Sequence, residues 1–161
     1  MLGLMSLEEA KKRGCRVYSG IKAVGISSDG KAKSIYAPRV SGQVNAMKRA
    51  YEGCSVKPSS IGLIEGHGTG TPVGDACEIE GLKTFFGEKG IPNERVALGS
   101  VKSQIGHTTQ AAGVASTIKV ALALHHKIIP PMNNVEEVNP EFDLPNSPFY
   151  ISSTGSPWIA P

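Results

Sequence analysis

Hydrophobic positions in this chain come in short runs separated by glycine-, serine- and proline-rich breaks, and two of the runs end alike. Residues 61–64 (Ile-Gly-Leu-Ile) and 96–98 (Val-Ala-Leu) are apolar stretches of strand length. The first opens into Glu65-Gly66-His67-Gly68-Thr69-Gly70-Thr71 and the second into Gly99-Ser100-Val101-Lys102-Ser103-Gln104-Ile105-Gly106-His107. A stretch with helical spacing follows each. A strand that ends in glycines and a histidine and then enters a helix is how an α/β sheet carries chemistry at its carboxyl edge. Glycine lets the backbone pass close to a ligand, and a helix start leaves amide groups free to bind one.

The other elements follow from the same patterns. Residues 1–5 read as a buried strand. Residues 6–13 read as a short helix with Glu8 and Glu9 early and Lys11, Lys12 and Arg13 late, the charge order a helix dipole favours. A strand is expected at 16–25, then the turn Ser27-Ser28-Asp29-Gly30 and a polar loop at 31–39. Ser41 is placed to cap a helix with Val44, Met47, Ala50 and Tyr51 on one face and Gly53 as its stop. Asp75 and Glu78 have the spacing of a capping box before the stripe Ile79, Leu82 and Phe86, with Gly87 ending that helix. Between 108 and 125 apolar residues point in every direction round a helix, and Lys119 is almost the only long polar side chain. Such a helix is buried on all sides; a chain of this size struggles to surround it, so a further covering surface is expected. Beyond Lys127 prolines dominate, with 149–151 as a last short strand. One domain over 1–153 is expected, with 154–161 as the start of a linker.

Composition narrows the function classes. At 161 residues, 40% hydrophobic and 19% charged, the chain has the makeup of one globular domain that buries roughly 70% of its unfolded surface. The net charge of +3 is scattered, and its densest basic groups (11–13 and 48–49) carry no interleaved aromatics, which argues against nucleic acid. No apolar run reaches membrane-span length, and the start lacks the basic lead-in and apolar core of a signal peptide. Cys15, Cys54 and Cys77 show no CxxC spacing, so neither a disulfide framework nor a zinc ribbon is expected, and the cytoplasm is the expected compartment.

The two loops each bring a histidine to what reads as one shared site. Singly, His67 is consistent with a turn histidine and His107 with a helix cap; together they suit neutral imidazoles that donate to a developing oxyanion or move a proton. Lys102 reads either as an exposed loop lysine or as a cation that holds a histidine neutral and orients a carboxylate such as Glu78. The glycines lack the Gly-Lys-Ser/Thr of a phosphate loop and the spacing of a dinucleotide fingerprint. A zinc set from His67, His107, Asp75 and Cys77 has no supporting HxxxH or CxxC spacing, so no metal is expected. None of the cysteines reads as a nucleophile: Cys54 follows a helix end, Cys15 sits in a polar connection, and Cys77 points with a core-facing stripe. His125 and His126 close a helix, where cations are favoured, and read as structural.

At these residues the chain resembles the β-ketoacyl synthases, in particular the ketosynthases of polyketide and polyunsaturated fatty acid synthases. Those carry Glu-Ala-His-Gly-Thr-Gly-Thr, Gly-Asp-x-x-Glu, Gly-Ser-x-Lys-x-Asn-x-Gly-His, a buried alanine-rich helix and a Leu-Pro-Pro-like turn. Here they stand as residues 65–71, Gly74-Asp75-Ala76-Cys77-Glu78, residues 99–107, the helix after Thr108, and Ile129-Pro130-Pro131. Ser28-Asp29-Gly30 and Tyr36-Ala37-Pro38 resemble the preceding family loop, and Pro157-Trp158 the linker after it. The resemblance implies an α/β chain forming the C-terminal half of a thiolase-like fold, truncated at both ends, from a homodimeric family. It implies that His67 and His107 polarise a malonyl thioester carbonyl for decarboxylation, that Lys102 and Glu78 support them, and that Thr69 and Thr71 hold a pantetheine arm. Substrates would be carrier-protein or coenzyme A thioesters, with no metal or redox cofactor, and the partners an acyl carrier protein and the N-terminal ketosynthase half. Gly66 stands for the usual alanine and Gln104 for the usual asparagine. The Ala-Cys-Ser-Ser nucleophile turn and the closing Gly-Phe-Gly-Gly-Thr-Asn segment are not in this sequence. The resemblance therefore implies a chain that does not condense alone, or a non-catalytic half-fold that pairs with a cysteine-bearing chain.

Overall fold

The computed structural model describes residues 1–31 and 37–159; Tyr36 and the rest of 32–36 in the expected polar loop, and residues 160–161, lie outside them. Helix α1 (Leu7–Lys12) is capped by Ser6, whose hydroxyl accepts from the Glu9 amide. Its flanks depart from expectation. Residues 1–5 and 16–25 form no strand, and Leu4, Ile21 and Val24 are exposed. A strand persists only where its amides find a ladder partner, and among the described residues neither segment has one. The chain instead lies on α2 (Val40–Tyr51): Arg49 donates to the Ile26 carbonyl at 2.6 Å and Arg39 to that of Asp29 at 3.0 Å.

Helix α2 starts from an extended Arg39, which leaves Ser41 inside the first turn rather than at the cap. Its Val44 is buried, while Met47 and Tyr51 pack on the core. Helix α3 (Pro72–Phe86) is also capped by a residue other than the expected one. Proline suits the first helical position because its missing N–H is unneeded there. Thr71 therefore takes the cap, accepting from the Gly74 amide at 3.2 Å, and Asp75 falls inside the first turn.

Strands β1 (Leu63–Glu65) and β2 (Val96–Gly99) run parallel on either side of α3 in sequence, with Glu65 opposite Gly99. A short helix α4 (Lys102–Ile105), hidden from the sequence pattern, precedes α5 (Ala112–His126). After β3 (Ile128–Ile129), β4 (Phe149–Tyr150) joins β2 in parallel and β5 (Ser156–Pro157) pairs antiparallel with β3. Part of the stretch expected as linker is thus strand, and the Trp158 amide donates to the Lys127 carbonyl at 2.8 Å.

The core lies between α3 and the three-stranded sheet. Leu82, Phe85, Phe86, Ile91, Val96, Leu144 and Phe149 form it, with Phe86 edge-on to Phe149 at 6.0 Å between ring centroids. Helix α5 forms as expected, but its apolar circumference is only partly covered: Ala112 and Ala123 are buried, while Val114, Leu122 and Leu124 are 41–44% exposed. Among the described residues no helix is long and apolar enough to cross a membrane.

Candidate active site

Because β1 and β2 are parallel neighbours, the loops that leave them emerge at the same edge. The Gly66 amide donates to the Gly99 carbonyl at 2.7 Å, which ties the loops at their roots. Beyond that bond the two histidines meet. The rings of His67 and His107 have centroids 5.7 Å apart and perpendicular planes, and both residues are exposed.

The first loop is fixed by Glu78, whose carboxylate accepts from the His67 amide at 2.5 Å and the Gly68 amide at 2.8 Å. Such charge-assisted bonds are roughly twice as strong as neutral ones. Gly68 has φ +45°, and a Cβ there would lie 2.7 Å from that of Ser100, so only glycine fits. Asp75 accepts from the Gly70 amide at 3.2 Å. Burial raises its carboxyl above the usual range and Glu78 adds to this, against the amides of Gly70 and Thr69 and the charge of His67. The Thr69 and Thr71 hydroxyls lie 3.1 Å apart.

The second loop continues β2 through the buried Ser100 and Val101 into α4, and then through Gly106 to His107. The Thr109 amide donates to His107 Nδ1 at 3.0 Å. A ring nitrogen that accepts carries no proton, so the imidazole proton sits on Nε2, which is left as a donor. Gln104 donates to the Pro131 carbonyl at 2.8 Å, and Asn134 donates to that of Ser103 at 2.7 Å, so the proline turn braces α4.

Of the six candidate residues, the structure brings His67, His107, Thr69, Thr71 and Glu78 onto the two adjoining loops and the helix beneath them. Lys102 opens α4, and among the described residues it makes no ion pair with Glu78. The Glu78 carboxylate is occupied by backbone amides instead. The ion pair that does span the site is Glu65 with Lys119, at 2.8 Å. Sequence reasoning missed it, although a single lysine in an otherwise apolar helix was the available signal. Cys77 lies near the Gln43 amide nitrogen, 3.8 Å away, and burial, with Asp29 and Glu78, pushes its thiol pKa up, which disfavours a thiolate. Among the described residues no His, Cys, Asp and Glu group could hold a metal.

A cavity of about 80 Å³ lies beneath the first loop, lined by Gly66, Glu78, Leu98, Ser100, Met132 and Phe142 among others.

Comparison with known proteins places the chain in one family. Residues 18–136 match the family described as Beta-ketoacyl synthase, C-terminal domain. The chain is 43% identical to a polyunsaturated fatty acid synthase of Thraustochytrium sp., over 100% of this chain and 6% of that protein. It is 41% identical to the polyketide synthase PksL of Bacillus subtilis, over 98% of this chain and 4% of that protein. Among solved structures, the ketosynthase from module 6 of the bacillaene synthase of Bacillus subtilis superposes with a TM-score of 0.91 at 40% identity, over 96% of this chain and 28% of that one. The chain spans a small part of the length of each of these relatives.

Proposed function

The chain belongs to the β-ketoacyl synthase family, as a C-terminal ketosynthase domain with a thiolase-like α/β fold, and from that premise we propose that it supplies the two-histidine part of a decarboxylative Claisen condensation site. The observation that carries this is the perpendicular His67–His107 pair, with His107 Nε2–H left as a donor by the Thr109 bond.

In this mechanism His67 and His107 donate to the carbonyl oxygen of a malonyl thioester. The bond to the carboxylate breaks, carbon dioxide leaves, and the electron pair stays as an enolate whose oxygen the two N–H groups stabilise. The enolate carbon then attacks an acyl-cysteine carbonyl; the new carbon–carbon bond forms as the carbon–sulfur bond breaks and the thiolate departs. In this reading that cysteine comes from a companion segment or chain: Cys15 follows α1, Cys54 follows α2, and burial disfavours a thiolate at Cys77. Glu78 fixes the His67 backbone. Lys102, at the head of the turn that delivers His107, supports that histidine. Thr69 and Thr71 hold the pantetheine arm of a carrier-protein or coenzyme A thioester. The proposal needs no metal or redox cofactor.

The test is carbon dioxide release from a malonyl thioester by the native assembly containing this chain, before and after His67→Ala. A loss of roughly 10²–10³-fold is expected, the range for removing one oxyanion donor; unchanged release would refute the role. The uncovered face of α5 favours a second reading, a non-catalytic half-fold that pairs with a cysteine-bearing chain. In that case the assembly forms but releases no carbon dioxide even with His67 intact.

A further inference from the structure

We infer that Glu65 is a positioning residue whose bond to the Val101 amide holds the two histidine loops in register, with Lys119 neutralising its buried charge; the inference rests on the two-histidine site proposed above. The pair is buried, with side-chain exposures of 6% for Glu65 and 10% for Lys119. A buried ion pair is a weak stabilising device, because apolar residues of similar volume often replace it at no cost. Its geometry explains its presence better than its energy. Glu65 is the last residue of β1, two positions before His67. One of its oxygens, Oε1, accepts from the Val101 amide at 2.5 Å, and the other, Oε2, accepts from Lys119 Nζ at 2.8 Å. Val101 is the boundary residue from which α4 runs toward Gly106 and His107. A single carboxylate therefore grips the second loop while its own backbone leads into the first.

Lys119 neutralises the buried charge of that carboxylate. It reaches from α5 across Gly99, where a Cβ would lie 3.2 Å from Nζ and 3.8 Å from Glu65 Oε2. Bare backbone at Gly99 leaves the corridor through which the ammonium passes. The two contacts join β1, the start of α4 and the middle of α5, and both histidines hang from the joined pieces.

The test compares two charge-free pairs in the native assembly: Glu65→Gln/Lys119→Met and Glu65→Leu/Lys119→Met. Both remove the ion pair, but only glutamine retains an oxygen for the Val101 amide. The readouts are kcat and KM for carbon dioxide release and the ¹⁵N signature of the His107 tautomer. The leucine variant is expected to lose about 10²-fold in kcat, the effect of a misplacement near 1 Å. Its KM should hold within a few-fold while the Nε2–H tautomer gives way to a mixture. The glutamine variant should lose far less and keep the tautomer. Equal behaviour of the two variants would overturn the inference. Should the leucine variant not fold, exchange of the Val101 amide decides: exchange as slow as in β2 supports the clamp, and exchange as fast as in an exposed loop overturns it. The tautomer does not depend on turnover, so it still decides the clamp if His67→Ala leaves decarboxylation intact and the condensation site itself fails.

Discussion

Helices α3 and α5 are each 15 residues long, and α5 is the more apolar of the two, yet α3 buries Ile79, Gly81, Leu82, Phe85 and Phe86 while α5 buries Ala112 and Ala123. The difference lies in what stands beside them. Helix α3 has a parallel sheet on one side and α2 on another, with the Tyr51 and Phe85 rings tilted against each other at 5.2 Å between centroids. Helix α5 leaves Val114, Leu122 and Leu124 in solvent. Hydropathy determines what a helix would bury; topology determines whether anything is there to bury it.

The sharpest way to break this contrast is to truncate a large residue on each helix. Phe86→Ala, at 4% exposure, should cost about 3–5 kcal/mol. Leu122→Ala, at 41% exposure, should cost less than about 1 kcal/mol, because a half-exposed side chain leaves no cavity. Urea midpoints of the two variants check this, and similar losses would mean that α5 is covered after all.

A smaller effect separates the helix starts. Thr71 caps α3 through its hydroxyl, whereas Ala111 at the start of α5 makes no side-chain cap bond. Thr71→Ala should cost about 1 kcal/mol, whereas Ala111→Ser should change stability by less than about 0.5 kcal/mol, because Ala111 has helical backbone angles and is not placed to cap. Thermal unfolding of both variants measures the asymmetry.

The smallest effect is in pH dependence. A carboxyl raised on folding, as at Asp75, binds its proton more tightly in the native chain. Its contribution to stability is therefore present below the unfolded carboxylate range and is lost as pH rises through the raised value. Asp75→Asn keeps an oxygen for the Gly70 amide and does not titrate. Its stability relative to the parent should thus rise between about pH 3 and pH 7, as read from urea midpoints at the two ends; a fall would reverse the assignment.

Helices α1, α2, α3 and α5 and the two site strands were legible because their signals are local: Ser6 before Glu8 and Glu9, the stripe of Ile79, Leu82 and Phe86, and the glycine–histidine strand ends. Ser41 and Asp75 misled because each is a good capping residue lying just past a boundary that another residue sets, extended Arg39 in one case and Thr71-Pro72 in the other. The strands expected at 1–5 and 16–25 needed a pairing partner that no local pattern reveals. In the site, the histidines and hydroxyls were visible as motifs. The Glu78 bonds to backbone amides and the Glu65–Lys119 pair were not, because partners 10 to 54 positions apart meet only through the fold.

A double-mutant cycle on carbon dioxide release by the native assembly, with His67→Ala, His107→Ala and both together, tests most directly whether the histidines share one oxygen. Groups acting as a unit are strongly non-additive. A shared thioester oxygen requires the double variant to fall little below the worse single variant. Losses that multiply would contradict a shared site.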